Sequence, residues 1–240
     1  MLDLLDQFWT AWTSPDAPTP SARELLPSRL AWACTQVLPV AGAGISAFSR
    51  EFRVPLGCSD DTAQRAERLQ FTIGEGPCLD AHGGTDEVRS NEAQIEQRWP
   101  LMHEVLSRHT PYRSIVSVPL SLSGDTTGAL DLYLIEPTLD EAGDLTSAGV
   151  IADTIVAILD LTGTGMFSSG RPGPDWLYGP GSEYRMRLWV AMGLLTARHD
   201  LPAADALAVL RGYSYSHDRL LDDVADAVVR GTVSTAELQP

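Results

Sequence analysis

The stretch from Tyr184 to Gly231 constrains the chain most, because local rules alone divide it into three short helices. In the first, Met186, Trp189, Val190, Gly193, Leu194 and Ala197 recur at steps of three and four, an apolar stripe that predicts the inward face. The polar pair His199-Asp200 ends it. Pro202 suits the opening turn of the second helix, where its missing N–H is no loss. Ala203, Ala206, Leu207 and Leu210 form that helix's inner face, and Gly212 supplies a stop. Ser216 is placed to cap the third helix, with Asp218 in its positive first turn. Leu221, Val224, Ala225 and Val228 make its stripe, and Arg230-Gly231 its end. Three such helices bury too little apolar surface to stand alone. The segment is expected to dock on another domain or on a second copy of itself.

The spacing carries a resemblance. Arg187, Val190, Ala191, Gly193 and Leu195, then Ala206, Leu207, Leu210, Arg211 and Tyr213, then Arg219, Leu221, Asp223, Val224 and Ala225 follow one order. That order resembles the ANTAR family, three-helix RNA-binding modules of bacterial transcription antiterminators. Met192 stands where many of these modules carry lysine, Thr196 where methionine is usual, and Ser214 where alanine is usual. The resemblance implies an RNA-reading surface of Arg187, Ala191, Gly193, Arg198, Arg211, Tyr213, Ser214, His217 and Arg219. Small residues there allow close backbone approach, Arg offers bidentate contacts, and His and Tyr stack on unpaired bases. The implied partners are hairpin loops of nascent mRNA, engaged by a homodimer. A plain amphipathic tail that only oligomerises fits the same stripes, and Arg198 is also where a solvated helix-end cation is favoured.

Charge bears on that reading. The chain of 240 residues has a net charge of −15 and no lysine, so all seventeen cations are arginine. A strongly acidic protein binds nucleic acid poorly without specificity, since phosphate contacts dominate that affinity. From Tyr184 onward, however, six arginines face seven acidic residues. The acidic burden therefore lies in residues 1–183.

Four segments are expected: 1–20, an amphipathic helix and a Pro-rich break; 21–161, a mixed domain; 162–183, a Gly/Pro-rich linker; and 184–240, the helical module. Within the second, a helix to about Val37, with Pro27 kinking it or delaying its start, precedes strands at Ala41–Phe48 and Phe52–Cys58. The helical run DTAQRAERLQ, a glycine-rich turn at Gly74–Cys78, a short strand at Glu87–Ser90 and a helix over Gln94–His109 follow. Strands at Ser114–Leu122 and Gly128–Ile135, joined by a turn at Ser123-Gly124-Asp125, lead to a long helix over Asp140–Leu161. This predicts an α+β chain: an antiparallel sheet with helices to one side, then the three-helix module. The runs LQFTIGEGPCLDA, RWP and SIVSVPLSLSGDTTGALDLY resemble a GAF domain of the kind fused to ANTAR modules in actinobacteria. That resemblance implies a sensor for an unidentified small-molecule or protein signal, with Phe71, Cys78, Trp99, Val118 and Tyr133 as candidates to line its effector pocket. Each of the five is equally well read as ordinary core.

Other chemistry is sparse. The GEGPC turn lacks the Gly-Lys-Ser ending of a phosphate loop, and Glu75 would repel an anion. Cys78 invites comparison with GAF-fold thiol reductases, but Cys58 lies twenty positions away and only His82 is near in sequence. A buried, inert thiol is the alternative. Cys34, Cys58 and Cys78 have no disulfide or zinc spacing, and the five histidines no metal spacing. No cofactor and no enzymatic activity are expected. With an acidic N-terminus, no membrane span and no disulfide framework, the expected location is the cytoplasm.

Overall fold

A computed structural model describes residues 2–17, 22–49, 52–82, 86–121, 127–140, 143–163 and 175–238. Helix α1 (Leu2–Thr13) and a 3-10 turn (Arg23–Leu25) lead into α2 (Leu26–Val37), so Pro27 delays the helix and sits in its first turn. Strands β1 (Gly42–Ser49) and β2 (Phe52–Cys58) form a hairpin. Then come α3 (Asp61–Ile73), α4 (Pro77–His82), β3 (Val88–Ser90), α5 (Glu92–Arg98), α6 (Pro100–His109), β4 (Ser114–Ser121) and β5 (Thr127–Leu134). Helix α7 (Ala148–Gly163), a 3-10 turn (Asp175–Tyr178), α8 (Pro180–His199), α9 (Ala203–Ser216) and α10 (Leu221–Val229) complete the chain.

The five strands form one antiparallel sheet in the order β2-β1-β5-β4-β3. Alternation along each strand sorts side chains to two faces. Ala43, Ile45, Val116, Val118, Leu130 and Leu132 pack with Leu30, Cys34 and Phe8 and with Ile151, Ile155 and Leu159 of α7. The opposite face meets α3, α5 and α6 through Ile115, Tyr133, Ile95, Met102 and Leu106. Helices thus cover both faces rather than one. The reason is that Ile115 and Tyr133, interleaved with the first set, give the second face its own apolar surface.

Local chemistry sets the boundaries. The Asp60 carboxylate accepts from the amides of Thr62 and Ala63 at 2.8 and 2.9 Å, capping α3, and Gly74 ends it at φ 78°. Asn91 and Gln94 form a reciprocal capping box at α5. The single helix expected over Gln94–His109 is two, because Pro100 has no N–H to continue the first and opens the second. The glycine-rich turn is followed by the unanticipated α4. Helix α7 begins at Ala148, after an Asp144 side chain that accepts from the Thr146 amide at 2.9 Å, a turn that holds the preceding residues out of helix. Of the expected linker, Thr162 and Gly163 belong to α7, 175–178 form the 3-10 turn and Pro180 opens α8; 164–174 lie outside the described residues, as does the turn at Ser123-Gly124-Asp125.

In the three-helix module, Leu188, Ala191, Met192 and Leu195 of α8 pack on Ala206, Leu207 and Leu210 of α9 and on Leu221, Val224, Ala225 and Val228 of α10. The α10 face is the one expected, and so is that of α9 except that Ala203 is exposed, but the α8 face is not. Met186, Trp189, Val190 and Leu194 are exposed at 73%, 56%, 51% and 42%. Gly212 does not stop α9, since a glycine within a helix costs only about 1 kcal/mol and the helix runs on to bury Ser214. Ser216 therefore lies at the end of α9 and does not cap α10.

Candidate functional site

Two places carry chemistry. The first is on the sheet face covered by α3, at Tyr133, one of the implied pocket residues. Arg53 of β2 is buried there with two carboxylates. It pairs with Glu67 of α3 and, through Nη2 at 3.0 Å, with Asp131 of β5. Its Nε donates to Ser46 Oγ at 3.2 Å and its Nη1 to the Glu67 carbonyl at 3.1 Å. The Tyr133 hydroxyl donates to Glu67 Oε1 at 2.5 Å, and Ser117 donates to Asp131 Oδ1 at 2.5 Å. Gln70 Nε2 donates to both Asp131 and the Tyr133 oxygen at 2.9 Å. The register places this set: Ser117 faces Asp131 across β4–β5, and β1 lacks a side chain at Gly44, where a Cβ would collide with Glu67.

One cation therefore serves two buried carboxylates. Burial pushes the Glu67 carboxyl up to about 8; Arg53 opposes this and Asp131 adds to it. Unfolded, the same group titrates near its ordinary 4.5. Between those values the folded state holds a proton that the unfolded chain has lost, so stability falls as pH rises from the lower value through the higher. Urea midpoints are expected to decline across that interval, and Glu67→Gln to remove most of the slope. A wild-type midpoint that is flat or rises there would mean Glu67 is ionised throughout. Burial likewise drives the Cys78 thiol well above its ordinary value, with Arg53 opposing and Asp131 reinforcing. A thiolate nucleophile is disfavoured in such surroundings.

The five candidate pocket residues are all buried but are not brought together. Tyr133 belongs to the polar cluster, and Trp99 packs near it in the same apolar layer. Cys78 packs with Phe48 and Ala129. Val118 lies on the opposite face of the sheet. Phe71 points away from the sheet, into the core of the three-helix module. Arg53, Glu67, Gln70 and Asp131 escaped the sequence reading. The legible signal was Asp131, a charged residue alternating with Leu130 and Leu132 in a strand with no turn residue beside it.

The second place is the seam between α3–α6 and the module. Arg68 bridges Asp222 at 2.9 Å and Asp223 at 2.6 Å. The Thr72 hydroxyl accepts from the Leu221 amide at 3.0 Å, capping α10 from outside its own module. Tyr215 donates to Glu104 at 2.8 Å, and His109 Nε2 lies 2.9 Å from Asp218.

The nine candidate RNA-contact residues divide across this seam. Ala191 and Ser214 are buried inside the module. Arg187 pairs with Asp226, and Arg219 donates to the Asp223 carbonyl at 3.2 Å. Gly193, Arg198 and His217 are exposed. Tyr213 and His217 stack with ring centres 3.9 Å apart, beside a surface groove of about 720 Å³ that Gly212, Ser216 and Glu237 also line. Arg211 faces the sheet domain: its Nη2 reaches the Phe71 carbonyl at 3.3 Å, its buried Nε has no partner, and burial lowers its ordinary value.

Among the described residues no cluster of three or more His, Cys, Asp or Glu is arranged to hold a metal ion, and no helix is long and apolar enough to cross a membrane. No family model and no curated protein matches the chain. Among solved structures it is similar to the GAF domain of a phosphoenolpyruvate-protein phosphotransferase from Coxiella burnetii, at 14% identity over 65% of this chain and 90% of that one, with a TM-score of 0.46. It is also similar to CepR2, an N-acylhomoserine-lactone-dependent LuxR-family transcription factor from Burkholderia cenocepacia, at 14% identity over 67% and 96% of the two chains, with a TM-score of 0.47. Both likenesses are of general outline.

Proposed function

We propose that the chain is a signal-responsive, RNA-binding regulator of transcription termination. In this reading a GAF-type sheet domain senses a signal and the ANTAR-type helices bind hairpin loops of nascent mRNA. The observation that carries it is Arg211. A guanidinium held at a domain seam with one long hydrogen bond and an unpaired Nε is poorly compensated for its desolvation. An RNA phosphate or base edge would satisfy it far better than the Phe71 carbonyl does. The Tyr213–His217 stack at the end of the same helix, half-buried at Tyr213 and exposed at His217, adds the aromatic surface that unpaired bases use. The docked arrangement then holds Arg211 back while leaving the stack outside, which is how a signal at the sheet domain would govern RNA binding.

Titration with a labelled two-hairpin RNA at two salt concentrations tests this. Hairpin-selective, salt-weakened binding is expected, with Arg211→Ala reducing affinity by about 5- to 150-fold, the span of ~1–3 kcal/mol for one specific arginine contact. Unchanged binding by that variant would remove Arg211 from the reading surface.

A second reading has its own observation. The exposed row Met186, Val190 and Leu194 on α8 is an apolar helix face, as expected of a module that only self-associates. It predicts a dimer by sedimentation that Val190→Glu with Leu194→Glu converts to monomer, and no RNA binding at either salt.

A further inference from the structure

On the sheet face away from the polar cluster, α1, α2, the end of α7 and the 3-10 turn before α8 line a cavity of about 490 Å³ that opens to solvent. That volume lies within the range of small-molecule sites. Its walls are mainly the indoles of Trp12 and Trp176 with Leu26 and Leu161, and its charged groups are Arg23, Arg29 and Asp175. Both indole Nε1–H groups are buried and have no acceptor. Two such donors in one wall are uncommon, because an unsatisfied buried polar group costs about 1–3 kcal/mol. Arg29 is itself buried, its guanidinium held by the carbonyls of Trp12 and Ser14 at 2.7–3.0 Å. Arg23 stands at the rim, its side chain 75% exposed and 3.9 Å from Asp175.

We infer that this cavity binds an apolar monocarboxylic acid, its chain lying between the two indoles and its carboxylate held by Arg23 at the rim. The apolar walls select the body of such a ligand, the Arg23 guanidinium at the rim selects its head group, and small adjustments of the indoles give their N–H groups an acceptor. The site sits where α7 gives way to the turn that precedes α8, so occupancy bears directly on the element carrying the three-helix module. This site stands apart from the RNA reading, because ligand binding is measured without RNA.

The probe is decanoate below its micellar concentration, titrated into the full chain and followed by tryptophan fluorescence and by thermal shift, with decan-1-ol as the uncharged control. Saturable binding of decanoate, at least tenfold tighter than decan-1-ol, is the expected result. Arg23→Glu is expected to abolish that preference, and Ala22→Phe, which fills the cavity from its rim, to weaken both ligands more than tenfold. Circular dichroism of each variant confirms that the fold persists. No saturable signal, equal affinity for acid and alcohol, or undiminished binding by folded Ala22→Phe would each overturn the assignment.

Discussion

Replacing Arg53 with methionine is expected to destabilise the sheet domain by about 3–5 kcal/mol, the cost of removing one partner from a buried ion pair. The substitution keeps the apolar stem of the side chain, so most of the loss is electrostatic. Glu67 and Asp131, both fully buried, would be left facing one another with no cation between them. The surviving donors, Tyr133, Ser117 and Gln70, are neutral and cannot offset the charge left on Asp131, joined by that of Glu67 once pH passes about 8. The measurement is a urea midpoint at neutral pH, with an unchanged slope showing that the transition still exposes the same surface. The sharper test adds Glu67→Gln and Asp131→Asn to Arg53→Met. Neutralising the whole cluster removes the unpaired charges and should recover most of the loss, because a buried pair is costly when halved and near neutral when replaced entire. A loss below about 1 kcal/mol for Arg53→Met alone would put the cluster in contact with water.

The other large effect is expected at the seam. Arg68→Glu places a third carboxylate beside Asp222 and Asp223, turning an ionic link between sheet domain and module into repulsion. If the docked form restrains RNA binding, apparent affinity is the intrinsic affinity scaled by the open fraction. Releasing a module that is open about one-tenth of the time then raises RNA affinity on the order of tenfold. The gain should vanish in Arg68→Glu combined with Arg211→Ala, since both work through the same guanidinium. Weaker binding by Arg68→Glu alone would mean that the docked form is the RNA-binding one. The companion substitution Arg68→Ala, which removes the link without adding repulsion, should fall between wild type and Arg68→Glu.

Much of this architecture can be read from residues near in sequence. The strands are legible to within about a residue because alternation such as Leu130-Asp131-Leu132-Tyr133 marks both faces at once. The helical run after Asp60 is α3, and its Gly74 end lies at the foreseen glycine turn, whereas the Asn91 cap starts α5 two residues before the expected Gln94. The α8 stripe is inverted for a physical reason. From Met186 to Leu195 the helix carries apolar residues on nearly every side, so its periodicity does not choose between the two faces. Packing chooses: Leu188, Ala191, Met192 and Leu195 meet α9 and α10. The polar cluster is hidden for a different reason, since Arg53, Glu67 and Asp131 lie on three elements that only strand register and the crossing of α3 bring together. For the same reason, no local pattern shows that Phe71 leaves the sheet domain for the core of the module. The implied RNA surface is legible as a set of residues. That Arg211 is turned inward is a property of the docking.

The bond from the Leu221 amide to Thr72 turns the first turn of α10 into a clock for domain separation. A helix's opening amides have no partner within the helix, and this one is protected from solvent only while α3 lies against it. In deuterated buffer its exchange is therefore governed by opening of the seam rather than by fraying of α10, so it should exchange long before the amides at Ala225 and Val228. The same amide quickens in Arg68→Glu and slows under any ligand that tightens the seam, which makes it a reporter of signalling that needs neither RNA nor a known effector.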